Sequence, residues 1–194
     1  MTMTFSTPPF WLIRDAMILW GLGEFVLAVT RRATIGQSRD QGSLRLLSLV
    51  LWSSMVMAVY AGVIHWIPFP SAIVAPTAWL GLCLLVAGLL LRAWSIRVLA
   101  RFFTVDVAIR DDHKLVRSGP YALLRHPSYT GALMCFYGAG LALGSWASLF
   151  LLTVPPTLAF LYRIRIEESV LSLAFPKEYP EYTRATKRLI PFVW

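Results

Sequence analysis

The sequence predicts an all-α integral membrane protein of five transmembrane helices, the last two forming a short helical hairpin. A cytoplasmic loop and the C-terminal segment are expected to carry most of its titratable groups. Three observations lead there. The chain is 57% hydrophobic and only 14% charged, with a mean hydropathy of +0.63, whereas soluble domains carry about 25% charged residues. Two runs, Leu46 to Leu91 and Ser128 to Tyr162, contain no Asp, Glu, Lys or Arg, and about 20 apolar residues suffice to span a bilayer. The basic residues, finally, sort to one side of the expected bundle. At 194 residues one compact bundle is expected, with 1–100 as an N-terminal three-span membrane region and 101–194 as the region holding the chemistry.

The first span is expected over Phe10–Thr30, interrupted only by Arg14, Asp15 and Glu24. Those early charges and the lack of a basic start argue against a cleavable signal peptide. The uncharged stretch 46–91 is too long for one helix. It breaks at Trp66-Ile67-Pro68-Phe69-Pro70, because proline lacks a backbone donor and disfavours helix at the residue before it. This gives a second span near Leu46–Trp66 and a third near Ile73–Leu99, with Trp66 and Trp79 suited to the membrane interface. As a single helix, 128–162 would run roughly 50 Å, too long for a core about 30 Å thick. Two helices turning at Gly144-Ser145 fit instead. Gly131, Gly138, Gly140 and Gly144 are expected to let these two backbones approach closely, and Pro155-Pro156 to kink the second.

Four basic residues lie between spans one and two, seven from the cytoplasmic end of span three to the start of span four, and six after span five, so 17 of the 18 Lys and Arg share one side. The positive-inside rule makes that side cytoplasmic, with the N-terminus outside and the C-terminus inside. The net charge of +8 is then mainly a topology signal. Nucleic-acid binding is disfavoured, since the basic residues form neither a stripe nor a motif. Cys83 and Cys135 lie inside apolar runs and are read as packing groups. His65 has no second ligand nearby, so no metal site is expected.

Of the 31 Asp, Glu, Lys, Arg and His residues, 20 fall in two cytoplasmic segments, Arg101–Pro127 and Arg163–Trp194. Loops of that length are uncommon unless functional. In the first, Gly119-Pro120 and His126-Pro127 favour extended or turn backbone. They bring Tyr121, His126 and Tyr129 close to the free N–H groups at the start of span four. The residues alone allow a pocket for a polar, aromatic-bearing cofactor, but an interfacial loop with aromatic anchors is the simpler reading. In the second segment, Arg163 and Glu167 share one helix face at i, i+4. They either line a cavity, with Arg163 capturing a carboxylate, or form a helix-end salt bridge with Arg163 snorkelling to the headgroups. Tyr179 and Tyr182 lie in an amphipathic tail that returns to the bundle, where they cover a site or anchor the interface.

The run Lys114-Leu115-Val116-x-Ser118-Gly119-Pro120-Tyr121-x₃-Arg125-His126-Pro127-Ser128-Tyr129-x-Gly131 resembles the isoprenylcysteine carboxyl methyltransferase family in its short prokaryotic form. So do Arg163-x₃-Glu167-Glu168-x₂-Leu171 and the Phe-x-x-Glu-Tyr-x-x-Tyr tail ending in Ile-Pro. The resemblance covers about the C-terminal 90 residues. It implies a membrane bundle that binds S-adenosylmethionine in a cytoplasmic pocket built from the loop before the last hairpin and the C-terminal segment. By matching position, His113, Lys114, Leu115, Val116, Tyr121, His126, Pro127, Ser128 and Tyr129 contact the cofactor, Glu167 completes that pocket, and Arg163 holds the acceptor carboxylate. Asp106 stands where relatives use an amide, so no role is carried onto it. The absence of a Rossmann glycine fingerprint agrees with such a site.

The implied activity is methylation of the carboxylate of a prenylated or lipid-like acceptor drawn from the bilayer, with Arg163 and Glu167 as the catalytic pair. The acceptor tail is expected to enter sideways near the glycine-rich fourth span. The expected location is a bacterial inner membrane in preference to the endoplasmic reticulum. Three alternatives share the architecture: a phospholipid amine N-methyltransferase using Glu168 or His126 as base, an NADPH-dependent sterol-reductase-like enzyme, and a non-catalytic membrane scaffold.

Overall fold

The computed structural model describes residues 6–31, 42–106 and 114–191. Within them lie α1 (Phe10–Thr30), α2 (Ser43–Val63), α3 (Ser71–Leu99), α4 (Pro127–Ala142), α5 (Trp146–Ala174) and α6 (Glu178–Ala185). Two 3-10 turns, Ala100–Phe102 and Gly119–Ala122, complete the regular structure. Isolated bridges are the only β pairing among the described residues.

Helix boundaries follow the proline and glycine signals. Pro9 and Pro70 precede α1 and α3, Pro127 opens α4, and Gly42 precedes α2 in the left-handed conformation at φ 80°. The break between α2 and α3 comes three residues earlier than Trp66, because His65 and Ile67 adopt positive φ of 53° and 51° ahead of Pro68. Gly144 at φ 67° turns the chain from α4 into α5, and the Ser145 hydroxyl caps α5 by accepting from the Ser148 amide at 3.3 Å. This turn is tied to the α2–α3 loop: Phe69 N–H donates to Gly144 O and Trp146 N–H to Ile67 O, both at 2.9 Å.

The last two helices are unequal. α4 has 16 residues, but α5 has 29 and continues well past Tyr162, carrying Arg163, Glu167 and Glu168 on one rigid element. Three of the described helices, α2, α3 and α5, are long and apolar enough to cross a membrane. The other two expected spans fall short for separate reasons. α1 contains Arg14, Asp15 and Glu24, and α4, at about 1.5 Å per residue, reaches only about 24 Å. The exposed side chains of α1 and α2 are nonetheless large and apolar, among them Leu19, Phe25, Leu49, Trp52 and Val63. A surface of that kind suits lipid rather than water.

The glycines of α4 pack differently from expectation. A Cβ on Gly138 would sit 2.5 Å from Gly81 O, and one on Gly131 would sit 2.7 Å from Gly88 O. Gly131 and Gly138 therefore seat α4 against α3. Only Gly140, about 200° around the helix from Gly138, faces α5, against Leu149. The α3–α4 contact is thus backbone on backbone, closed to an entering lipid chain.

Candidate active site

Arg163 is the largest fully buried side chain, 2% exposed, so it does not snorkel. Its guanidinium is spread over three elements. Nε donates to the Tyr129 hydroxyl at 3.1 Å, Nη1 to Ser43 Oγ at 2.8 Å, and Nη2 to Val105 O. The Tyr129 hydroxyl in turn donates to Glu167 Oε2 at 2.6 Å. The two ionic residues that share a face of α5 are therefore joined through a phenol supplied by α4. Tyr129 is fixed by an almost parallel stack on His126, with centroids 5.5 Å apart, and by the Phe160 ring at 5.2 Å.

This trio stands where two cavities meet. The smaller, about 90 Å³, is bounded by Lys114, Leu115, Val116, Tyr121, Asp106 and Tyr182. The larger, about 960 Å³, lies between α1, α2, α4 and α5, with Met17, Leu51, Met55, Ala132 and Phe136 among its walls. Thr104, Arg125, Tyr129, Arg163 and Glu167 border both. The smaller cavity offers aromatic rings, two carboxylates and a stretch of loop backbone. The larger is a greasy chamber with a polar end.

The C-terminal segment borders the smaller cavity through Tyr182 and is tied to the start of α4. Arg125 N–H donates to Lys187 O at 2.7 Å and His126 N–H to Arg188 O at 3.1 Å, while the Thr130 hydroxyl donates to Leu189 O at 2.9 Å. Glu168 knots these strands together by accepting from Arg125 Nε at 2.9 Å and from Arg188 Nη2 at 2.9 Å, with His126 Nε2 at 3.4 Å. Tyr182 is buried and its hydroxyl donates to Tyr121 O at 2.8 Å; Tyr179 is buried beside it. Neither is an interface anchor. Burial pushes the Tyr182 phenol up to about 12 and raises the Tyr121 phenol further, with the Glu167 carboxylate adding to the latter. Both therefore stay neutral donors at physiological pH.

Of the residues singled out from sequence, Lys114, Leu115, Val116, Tyr121, Tyr129, Arg163 and Glu167 come together around the smaller cavity. His126 and Ser128 line the larger one, and Pro127 is buried at the first turn of α4. His113 lies outside the described residues. Sequence reasoning passed over Ser43 and Val105, which hold the Arg163 guanidinium, and Arg92, which meets Glu24 (below). These partners lie 120, 58 and 68 positions apart in the chain, so no local spacing announces them.

The phospholipid methyltransferase family pattern matches residues 76–178, more than half of the chain. Over 183 residues the chain is 31% identical to protein-S-isoprenylcysteine O-methyltransferase B of Arabidopsis thaliana, covering 92% of this chain and 90% of that one. The chain belongs to the isoprenylcysteine carboxyl methyltransferase family. Another family member, the protein-S-isoprenylcysteine O-methyltransferase of Schizosaccharomyces pombe, is 34% identical over 143 residues, or 69% of this chain and 59% of the relative. A solved structure of the eukaryotic intramembrane Ras methyltransferase, isoprenylcysteine carboxyl methyltransferase, superimposes with a TM-score of 0.67 at 25% identity. The match covers 93% of this chain, which spans 65% of that one. The protein is thus an integral membrane enzyme, a methyltransferase of the carboxyl-methylating family.

Proposed function

We propose that this enzyme transfers a methyl group from S-adenosylmethionine to the carboxylate of a prenylated or lipid-like acceptor at the cytoplasmic membrane face. The observation that carries this reading is the Arg163–Tyr129–Glu167 chain at the junction of a polar and an apolar cavity. One chamber suits a hydrophilic donor, the other a lipid tail, and the cation stands between them.

The residues of the smaller cavity fit the donor chemically. The Glu167 carboxylate suits its ammonium or hydroxyl groups, Tyr121 and Tyr129 offer ring faces to its base or sulfonium, and the backbone of Lys114–Val116 makes no hydrogen bond to a described residue. At about 90 Å³ the cavity bounded by described residues is below the roughly 300–1,000 Å³ of small-molecule sites. When bound, the donor supplies a methyl group already activated by the sulfonium. The chain's own task is alignment. Arg163 holds the acceptor carboxylate, which is ionised at pH 7 and needs no base. Tyr129 fixes the spacing between Arg163 and Glu167, and the surrounding apolar walls exclude water. Positioning of this kind is worth up to about 7–11 kcal/mol.

An amine acceptor would require a base to remove a proton. Glu168 is ill-suited to that task, because two arginines and His126 already occupy its oxygens. With Glu168 so engaged, His126 is the remaining base for an amine, and the carboxylate, which needs none, is the favoured nucleophile. The basic-residue distribution supports five crossings, with the start of α1 outside and the end of α5 cytoplasmic. The acceptor's tail enters between α1 and α2, which wall the larger cavity, and not along α4, whose glycines are sealed against α3.

Transfer of a labelled methyl group from S-adenosylmethionine to a prenyl-cysteine acid, in lipid nanodiscs, is the expected result. Calorimetric binding of NADPH without S-adenosylmethionine would overturn the proposal. Glu167→Gln keeps a carbonyl for the Tyr129 hydroxyl but loses the charge. Since hydrogen bonds to charged groups contribute about 1.5–3 kcal/mol, affinity for S-adenosylhomocysteine is expected to fall by roughly 10- to 100-fold, read by calorimetry. Unchanged affinity would remove Glu167 from the donor site.

A further inference from the structure

One ion pair at membrane depth lies outside the Arg163–Tyr129–Glu167 chain. Glu24, the charge that interrupts α1, takes Arg92 of α3 in a two-pronged contact: Nε to Oε1 at 2.5 Å and Nη2 to Oε2 at 2.7 Å. The third arm of the same guanidinium, Nη1, donates to Ser128 Oγ at 2.9 Å and to Ser128 O at 3.2 Å. Arg92 therefore joins the α1 wall of the larger cavity to the first turn of α4. The next residue in that turn is Tyr129.

Stability alone does not account for such a pair. The pair is partly buried, with the Arg92 side chain 13% and the Glu24 side chain 35% exposed; desolvating charges offsets much of their attraction, and replacing such pairs by apolar side chains of similar volume is often neutral or stabilising. The third arm is the informative feature. It fixes both the side chain and the carbonyl of Ser128, the residue between the helix-opening Pro127 and the phenol that bridges Arg163 to Glu167.

We propose that Arg92 and Glu24 are positioning residues for the methyl transfer: through Ser128 they set the first turn of α4, and with it the Tyr129 hydroxyl, relative to the wall of the acceptor cavity. This rests on the methyltransferase reading above. Arg92 acts through Ser128 and Tyr129, and Glu24 acts by orienting Arg92. Loosening the relay shifts Tyr129 without removing any group from the donor pocket. A misplacement of about 1 Å can cost about 10²-fold in rate.

The test uses the full chain in nanodiscs with a prenyl-cysteine acid and S-adenosylmethionine. The double variant Glu24→Gln/Arg92→Gln leaves no unpaired charge, so its melting temperature is expected to stay close to that of wild type. Its kcat is expected to fall by roughly 10- to 100-fold, with S-adenosylhomocysteine affinity within about twofold. Arg92→Lys, which keeps the charge and one contact, is expected to recover part of the rate. Ser128→Ala removes the shorter, hydroxyl half of the last link and leaves the carbonyl half, and a several-fold lower kcat at unchanged melting temperature reads the same relay even if the double variant fails to fold. Wild-type kcat in a folded double variant, or in Ser128→Ala, overturns the proposal. A wild type that leaves the prenyl-cysteine acid unmethylated overturns the acceptor reading, and this proposal with it.

Discussion

Arg163→Lys is expected to lower kcat/KM for the acceptor by about 10²- to 10³-fold, the scale seen when one preorganised donor is lost from an active site. Affinity for S-adenosylhomocysteine should change by no more than a few-fold. The substitution keeps the positive charge in a site that is 2% exposed, so no buried group is stripped of a counter-charge. It removes the planar fork. The guanidinium reaches Tyr129, Ser43 and Val105 in three directions at once, whereas an ammonium is a point charge on a flexible stem. The carboxylate of the acceptor then loses a cation whose direction is fixed by three protein contacts, and the Tyr129 hydroxyl loses one of its two fixed neighbours. Arg163→Ala is the less informative change, because it also takes the Arg163 donor from the Val105 carbonyl, and burying an unpaired polar group costs about 1–3 kcal/mol. Initial rates over a range of acceptor concentrations, with a melting curve beside them, separate the two effects. Wild-type kcat/KM in Arg163→Lys would show that charge without geometry suffices.

The second large effect is structural. Gly88→Ala and Gly138→Ala are each expected to lower the melting temperature sharply and reduce the yield of folded protein. A Cβ at either position would lie 2.5 Å from a carbonyl oxygen of the facing helix, and the obstacle is backbone, which cannot rotate away. The two helices must separate, and overpacking typically costs about 1–3 kcal/mol even where side chains can adjust. Separating α3 from α4 also moves the first turn of α4, so activity should fall with stability. Gly21→Ala and Gly23→Ala on α1 are the controls, since nothing lies within 4 Å of either added Cβ. Alanine replaces glycine in a helix with a gain of about 0.5–1 kcal/mol, so their melting temperatures should hold or rise slightly. Equal destabilisation at Gly21 and Gly88 would mean that the α3–α4 contact is looser than the geometry indicates.

The helices were legible because their signals are local. The uncharged runs, the Pro68–Pro70 break, the Gly144-Ser145 turn and the i, i+4 spacing of Arg163 and Glu167 each sit within a few residues. Glu24 was visible only as a blemish in an apolar stretch, and Arg92 only as the charge that ends another. Nothing in either neighbourhood says that they meet. The glycines of α4 were legible as a close-packing face but not as the face for α3, since a small residue records that something approaches without recording what. Tyr121, Tyr129 and the Lys114–Val116 stretch drew attention as a motif, while Tyr182, which borders the same cavity, could be read from sequence equally as covering a site or as anchoring the interface.

By itself, then, the sequence determined a membrane bundle, the placement of its helices, and a polar cluster around α4 and the end of α5. Hydropathy, proline and glycine act on the chain where they stand, so composition and spacing suffice for these. Only the tertiary structure decided that Arg163 is buried and held by Ser43 and Val105, that Tyr129 bridges it to Glu167, and that a small polar cavity and a large apolar one share that bridge. The physical reason is that a buried charge is stable only where donors and acceptors converge on it, and here they converge from helices that are far apart in the chain.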